Sequence, residues 1–357
     1  MKWHLVTPAL KVSGGNRELL QLGGQLAARG ADVDVVSLWR ADNPIASVLP
    51  VAHQSDWRSQ AVWAPLQWPL LALAFRRWMR SDARASASED RYLFTHYSTL
   101  PLAALVPRER RYFFVQDLEW KFVHNRLLSW LLRRAILFFY RRGSLVSANA
   151  YLTSSLRQLG LPVLLEAPIW AAPDYLASEA GPRDIDFVMM LRKGAHKRLA
   201  DYHAFIELAR RGPRKVTLAA ISPDDDLIAE VSSRVDFCLT RPTRAQMRAL
   251  YQRAHCFVHL SEHEGFGLPP LEAMGAGCIP LCRDSGGVRA FMAAPELVEL
   301  LLPAEADVEE VYRRGCQLLD DPVRAADYSR RAREVFRRGS LATAQASDAA
   351  VTALSRV

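Results

Sequence analysis

Residues 254–287 read AHCFVHLSEHEGFGLPPLEAMGAGCIPLCRDSGG. Two carboxylates, Glu264 and Glu272, bracket the turn Gly265-Phe266-Gly267-Leu268, and Pro269-Pro270 follow it directly. Glycine permits a tight turn, and proline at the first helical positions costs no helical hydrogen bond. The preceding run Cys256–Leu260 is apolar and short enough for a buried strand, and Ile279–Cys282 starts another. A strand, a glycine turn and a helix start direct backbone N–H groups and the positive end of the helix dipole at one spot, which suits an anion. Two cations stand upstream, Arg192 and Lys197, just after the apolar run Asp186–Leu191. Cations at a strand end are what the charge on a departing phosphate requires. Lys193 competes with Lys197 for that part.

These residues need elements to hold them. In the first half, Lys2–Val6 predicts a strand and Thr7–Asn16 a loop containing Gly14 and Gly15. Leu19, Leu20, Leu22, Leu26 and Ala27 then make a helical stripe, and Asp32–Leu38 predicts the next strand. That is a Rossmann-type βαβ opening, in which Gly14 and Gly15 either face a ligand or merely make the turn. Arg91–Thr95 and Arg111–Val115 predict further strands, ending at His96 and at Gln116-Asp117-Leu118-Glu119. Ligands in α/β folds sit outside such strand ends. Asp117 could orient an acceptor hydroxyl there, or cap the helix that follows. Residues 57–80 combine Trp57, Trp63, Trp68 and Trp78 with Arg76, Arg77 and Arg80. Residues 126–142, RLLSWLLRRAILFFYRR, place paired arginines on an apolar helix. Each stretch suits an anionic lipid surface, and each also reads as a core helix with a basic edge.

Alternating strands and helices through both halves predict an α/β protein of two doubly wound domains with a cleft between them. The expected boundaries are 1–170 for the first domain, 171–182 for a linker, and 183–339 for the second. A last helix, 340–357, follows a charged helix at 320–338.

The Glu-x7-Glu spacing around G-F-G-L-P-x-L-E-A-M resembles the signature of GT-B-fold retaining glycosyltransferases of family 4. The Y-F-F-V-Q-D-L-E run is similar to a segment of bacterial surface-glycan rhamnosyltransferases. The resemblance implies that the last helix crosses back onto the first domain. It implies an enzyme that moves a sugar, rhamnose among the candidates, from a nucleoside diphosphate to a cell-surface glycan or lipid-linked acceptor. In that reading Arg192 and Lys197 meet the diphosphate and Glu272 holds the ribose. Glu264 and the N–H groups of Phe266, Gly267 and Leu268 hold the sugar. His96 contacts the transferred sugar, Asp117 shapes the acceptor side, and Gly14 and Gly15 face the cleft. Two departures stand out: Leu191 replaces a glycine before Arg192, and Val288-Arg289 stand where an acid is usual. They favour the rival reading, a non-catalytic nucleotide-sugar-binding subunit of a glycan-assembly complex. Asp-x-Asp spacings at Asp32/Asp34 and Asp184/Asp186 fall at strand starts, and Asp224/Asp226 in a polar turn. No metal and no cofactor are therefore expected beyond the nucleotide sugar itself.

The 357 residues carry a net charge of +8. Residues 1–170 hold 21 Lys and Arg against 12 Asp and Glu, and the remainder holds 25 against 26. A basic half beside a balanced one suggests one surface that meets something anionic, a membrane included. No helix-turn-helix, RRM or zinc pattern supports nucleic acid as a partner. Five cysteines, all in the second half and without a spaced framework, predict reduced thiols. The start MKWHLVTPAL lacks an apolar leader segment, and no apolar run reaches membrane-spanning length. A cytoplasmic protein is expected, with peripheral contact at the inner face of the plasma membrane.

Overall fold

The structure is a computed structural model that describes residues 2–11, 13–41, 44–54, 64–81, 89–176 and 182–356. It divides into two compact units. The first comprises residues 1–120, 127–169 and 344–357, and the second 121–126 and 170–343. Two stretches of the expected linker, 171–176 and 182, are described, and both belong to the second unit.

In the first unit, seven strands form one sheet: β1 (Lys2–Ala9), β2 (Asp32–Trp39), β3 (Val51–Gln54), β4 (Arg91–Phe94), β5 (Arg111–Val115), β6 (Ser144–Ser147) and β7 (Val163–Glu166). Their order is β3-β2-β1-β4-β5-β6-β7, and every pairing is parallel. The burial of both faces explains why β5 after Arg111 reads as the apolar run YFFV, with Phe113, Phe114 and Val115 each 1% exposed. The strand order reverses between β1 and β4. In open α/β sheets, ligands bind beyond the strand ends at such a switch point.

The second unit repeats the plan. Its strands are β8 (Ile185–Met190), β9 (Leu218–Ser222), β10 (Phe237–Thr240), β11 (Ala254–His259), β12 (Ile279–Arg283) and β13 (Leu301–Leu302). The order β10-β9-β8-β11-β12-β13 is again parallel and reverses between β8 and β11. The switch points therefore fall beside Arg192 in one sheet and beside His96 in the other. Cys256, Cys278 and Cys282 are fully buried beside or within this sheet, and no disulfide joins the five cysteines. Burial pushes the Cys278 thiol up to about 12, so it packs as an apolar group.

Several elements differ from expectation. Gly14 and Gly15 are the first residues of the helix Gly14–Ala28, not part of the loop before it. Ser13 is the N-cap and accepts a hydrogen bond from the Asn16 N–H, so the helix starts five residues before its apolar stripe. The two helices expected at the C-terminus are one, Pro322–Ser355. Gly339 lies within it, where the Trp170 ring occupies the space a Cβ would take. Residues 344–355 of that helix belong to the first unit, where Val351 and Leu354 are fully buried, Ser347 donates to Gln25 at 2.8 Å and Arg29 pairs with Asp348. The helix Asp225–Val231 and the strands β3 and β13 are too short to show a period in the sequence, whereas the helix Val308–Asp320, with Val308, Val311, Tyr312, Gly315 and Leu318 buried on one face, has a clear stripe that the sequence reading passed over. Trp57 and Trp63 lie outside the described residues.

Candidate active site

The second unit holds the denser cluster. Gly287 makes the glycine turn possible: a Cβ there would lie 2.4 Å from the Gly265 carbonyl carbon and from the Phe266 nitrogen. Two backbones can approach that closely only at glycine. The Glu264 N–H donates to the Ser285 carbonyl at 2.9 Å, and the Gly287 N–H returns to the Glu264 carbonyl at 3.0 Å. Gly267, with φ +89°, then caps the helix Leu268–Gly275 without any side-chain capping bond. Pro269 and Pro270 carry no N–H. Among the described residues, the N–H groups of Phe266, Gly267 and Leu268 have no hydrogen-bond partner. A strand end, a helix N-terminus and unpartnered amides thus coincide, as an anion or sugar hydroxyl site requires.

The cationic turn joins this bend. Beyond β8, Leu191 is buried and Arg192 is exposed. Gly194 (φ +121°) and Arg198 (φ +55°) bend the chain so that Ala195–Lys197 forms one 3₁₀ turn. The Glu262 N–H donates to the His196 carbonyl at 2.9 Å, and Lys197 Nζ donates to both Glu264 carboxylate oxygens at 2.7 and 2.8 Å. Burial alone would raise the Glu264 pKa. Lys197 and hydrogen bonds from Lys197 and Ser261 outweigh it and hold the carboxyl at about 2. His259, whose Nε2 lies 3.9 Å from Glu264 and 3.3 Å from the Ser285 hydroxyl, is held down to about 4 by burial. It is a neutral imidazole at neutral pH.

The two lysines are thereby told apart geometrically. Lys197 is half-buried against Glu264, so part of its charge is already answered inside the protein. Lys193 pairs with Asp226 at 2.7 Å, both well exposed. Arg192 makes no hydrogen bond or ion pair among the described residues. Glu272 lies in the helix after the bend and is 8% exposed. Arg289 donates to Asp284 at 2.7 and 2.9 Å, and Val288 fills the space beside Gly267. Sequence reasoning missed Lys197's use of Glu264 as a partner, and it missed His259 and Ser285. It also missed Phe122, which stacks on His196 at 4.3 Å. The His259 signal was present, a histidine inside an apolar strand, but only burial shows what it faces.

In the first unit, β4 and β5 are paired neighbours, so His96 and Asp117, each two residues past its strand, follow adjacent strand ends. His96 caps the short 3₁₀ segment Tyr97–Leu105, and its Nδ1 pairs with the Ser98 hydroxyl at 2.8 Å. Its Nε2 stands 3.5 Å from Glu119 Oε1. Enclosure by protein, with Lys11 adding, lowers its pKa to about 4. Glu119, which sequence reasoning left without a role, is buried and accepts the Tyr97 N–H at 2.8 Å. Burial and the nearby Asp117 push its carboxyl well above the usual range. Asp117 accepts the N–H of Leu118 at 2.8 Å, a local turn bond. Gly15 is closed off: Gln116 donates to its carbonyl at 2.9 Å and fills the space above it.

Each Asp-x-Asp pair is engaged elsewhere. Asp34 pairs with Lys2 and His4 inside the sheet, Asp184 with Arg253, and Asp226 with Lys193. Among the described residues no three His, Cys, Asp or Glu side chains cluster as metal ligands would, and no helix is long and apolar enough to cross a membrane.

Comparison with known proteins agrees with this plan. Residues 226–335 match the family described as Glycosyl transferases group 1. A stretch of 43 residues is 56% identical to the GDP-mannose:cellobiosyl-diphosphopolyprenol alpha-mannosyltransferase of Xanthomonas oryzae pv. oryzae strain PXO99A, and it spans 12% of this chain and 11% of that relative. The chain superposes over its whole length on all of the sucrose-phosphate synthase of Thermosynechococcus elongatus, with TM-score 0.77 and 17% identity. It superposes over 97% of its length on 99% of WaaG, a glycosyltransferase involved in lipopolysaccharide biosynthesis, with TM-score 0.65 and 14% identity. The chain, with its two Rossmann-like parallel-sheet units, has the GT-B fold, and residues 226–335 of the second unit match the glycosyl transferases group 1 family.

Proposed function

We propose that the chain is a glycosyltransferase of the retaining, metal-independent kind, using a nucleoside-diphosphate sugar as co-substrate and no separate cofactor. The observation that carries this reading is the joining of the 192–197 turn to the 264–268 bend through the Lys197–Glu264 pair and the Glu262–His196 backbone bond. Cleaving a glycosyl donor leaves negative charge on the departing diphosphate, and fixed cations and dipoles lower that barrier most. Arg192 carries the unanswered charge and takes the diphosphate. Lys197 orients Glu264 and adds positive potential. Glu264 and the N–H groups of Phe266, Gly267 and Leu268 bind sugar hydroxyls, and Glu272 binds the ribose. His96, as a neutral imidazole, binds the sugar, and Asp117 serves the acceptor side. The proton of the acceptor hydroxyl leaves with the phosphate, so no dedicated base is needed.

The acceptor is a glycan or a lipid-linked saccharide, handled on the cytoplasmic side of the membrane. For the donor, GDP-mannose, named for the relatives that match over a short stretch, stands beside a dTDP-rhamnose-like sugar. A thermal-shift panel of nucleoside diphosphates identifies the base: a ligand at about a hundred times its Kd adds about 2.7 kcal/mol of stability. Replacing Arg192 or Glu272 by Ala is expected to lower kcat/KM for the cognate donor by about 10²–10³. Wild-type rates in both variants would remove the mechanism. Donor binding without any turnover would instead favour a non-catalytic sugar-nucleotide subunit, a reading that the Arg289–Asp284 pair in place of an acid supports.

A further inference from the structure

The helix Arg126–Tyr140 shows two apolar faces where folding needs one. Ile136 and Tyr140, 2% and 6% exposed, pack inward, with Leu132 half-buried one turn earlier. At 100° per residue the opposite face carries Leu127, Trp130, Leu131 and Phe138, which are 65%, 51%, 48% and 49% exposed. Arg134 falls on the same stripe, and Arg141 and Arg142 continue it past the helix end. Arg134 lies over the Trp130 ring at 5.1 Å and Arg142 over the Phe138 ring at 3.5 Å. Together with Arg133, these arginines wall an open surface pocket floored by Trp130 and Phe138.

The charge around this stripe is of one sign. From Lys121 to Leu165 the sequence contains no Asp or Glu. Among the described residues Arg133, Arg134, Arg141 and Arg142 form no ion pair with a carboxylate. A row of large apolar side chains flanked by unpaired arginines is a poor solvent face and a good interfacial one. Apolar groups enter the headgroup boundary while the guanidinium groups hold phosphates.

We propose that this face docks on an anionic phospholipid bilayer, with Leu127, Trp130, Leu131 and Phe138 entering the interface and Arg134, Arg141 and Arg142 on lipid phosphates. The occupant follows from charge complementarity together with apolar depth. A soluble polyanion would use the arginines and leave the leucines wet. An apolar protein partner would leave the arginines desolvated and unpaired. The proposal does not depend on the chain's being a glycosyltransferase.

The test is co-sedimentation of the full chain with vesicles of phosphatidylcholine alone and with about 40% phosphatidylglycerol added. Binding is expected only in the anionic vesicles. Arg134→Glu with Arg141→Glu should weaken it by more than about tenfold, each cation near such a surface being worth about fivefold. Leu127→Ser with Phe138→Ser should weaken it comparably, and that loss should persist in high salt, where the arginine contribution is screened. An unchanged melting temperature and unchanged nucleoside-diphosphate binding keep each variant interpretable. Equal binding to neutral vesicles, full binding by both double variants, or a loss confined to the arginine variant would overturn the proposal. The last result would point to a soluble polyanion.

Discussion

In each unit one strand leads into a helix start marked by glycine, β1 into Gly14–Ala28 in the first and β11 into Leu268–Gly275 in the second, yet the two helix starts are built differently. The first is closed by its own side chains. Ser13 caps the Asn16 N–H, Asn16 donates to the carbonyls of Ala9 and Lys11 at 2.8 Å each, and Gln116 seals Gly15. The second is left open. Gly267 offers no side-chain cap, two prolines follow, and three amides have no partner among the described residues. The same local order of elements thus yields a helix start closed by side chains in one unit and an open one in the other. The difference lies in whether polar side chains satisfy the helix start or leave it for a ligand.

The Lys197–Glu264 pair offers the strongest test of that contrast. Lys197→Met would strand a mostly buried carboxylate and is expected to cost about 3 kcal/mol in denaturant unfolding at pH 7. The wild-type pair also predicts an acid limb. Glu264 is held at about 2 against an ordinary 4.5, so its contribution of about 3 kcal/mol is full above pH 4.5 and lost as pH falls through about 2. That limb should be missing in Lys197→Met; an unchanged acid profile would mean the pair does not stabilise the bend.

The glycines come next. Gly287→Ala drives a Cβ into the backbone of Gly265 and Phe266 and should cost about 3 kcal/mol. Gly15→Ala meets only the end of the Gln116 side chain, which can swing aside, and alanine favours the helix. Its effect should stay within about 1 kcal/mol of zero. Equal costs at the two sites would show that the two turns are alike after all.

Two smaller effects sharpen the picture. The His96 imidazole should titrate in NMR near 4, not near 6.5. Because the folded pKa is the lower one, its contribution to stability is present above 6.5 and lost as pH falls through 4. A midpoint near 6.5 would leave His96 an ordinary solvated ring. Lys193→Ala, at an exposed pair, should leave stability and donor KM unchanged. A raised KM there would transfer the phosphate role from Lys197 to Lys193.

Much of this fold is legible in the residues because parallel strands buried on both faces must be continuously apolar. Tyr112 to Val115, Phe187 to Met189 and Phe257 to Val258 announce themselves for that reason. Glycines and prolines at 265–270 mark the bend because few other residues tolerate it. Gly14 and Gly15 misled for the same reason, since nothing local says that Ser13 caps a helix running through them. Glu119 was invisible as a site residue because its meaning depends on the Tyr97 amide and the His96 ring, which belong to another strand end.

Taken alone, the amino-acid order determined the alternation of strands and helices, the basic first half, and the placement of glycine, proline and charge at strand ends. These are local properties, set by backbone sterics and by periodicity within a few residues. Tertiary structure decided which lysine meets Glu264, which glycine turn is sealed, and which apolar face of the 126–140 helix stays in solvent. Those outcomes depend on contacts between residues far apart in the chain, where burial and a single partner shift a charge or a pKa by amounts that no local pattern encodes.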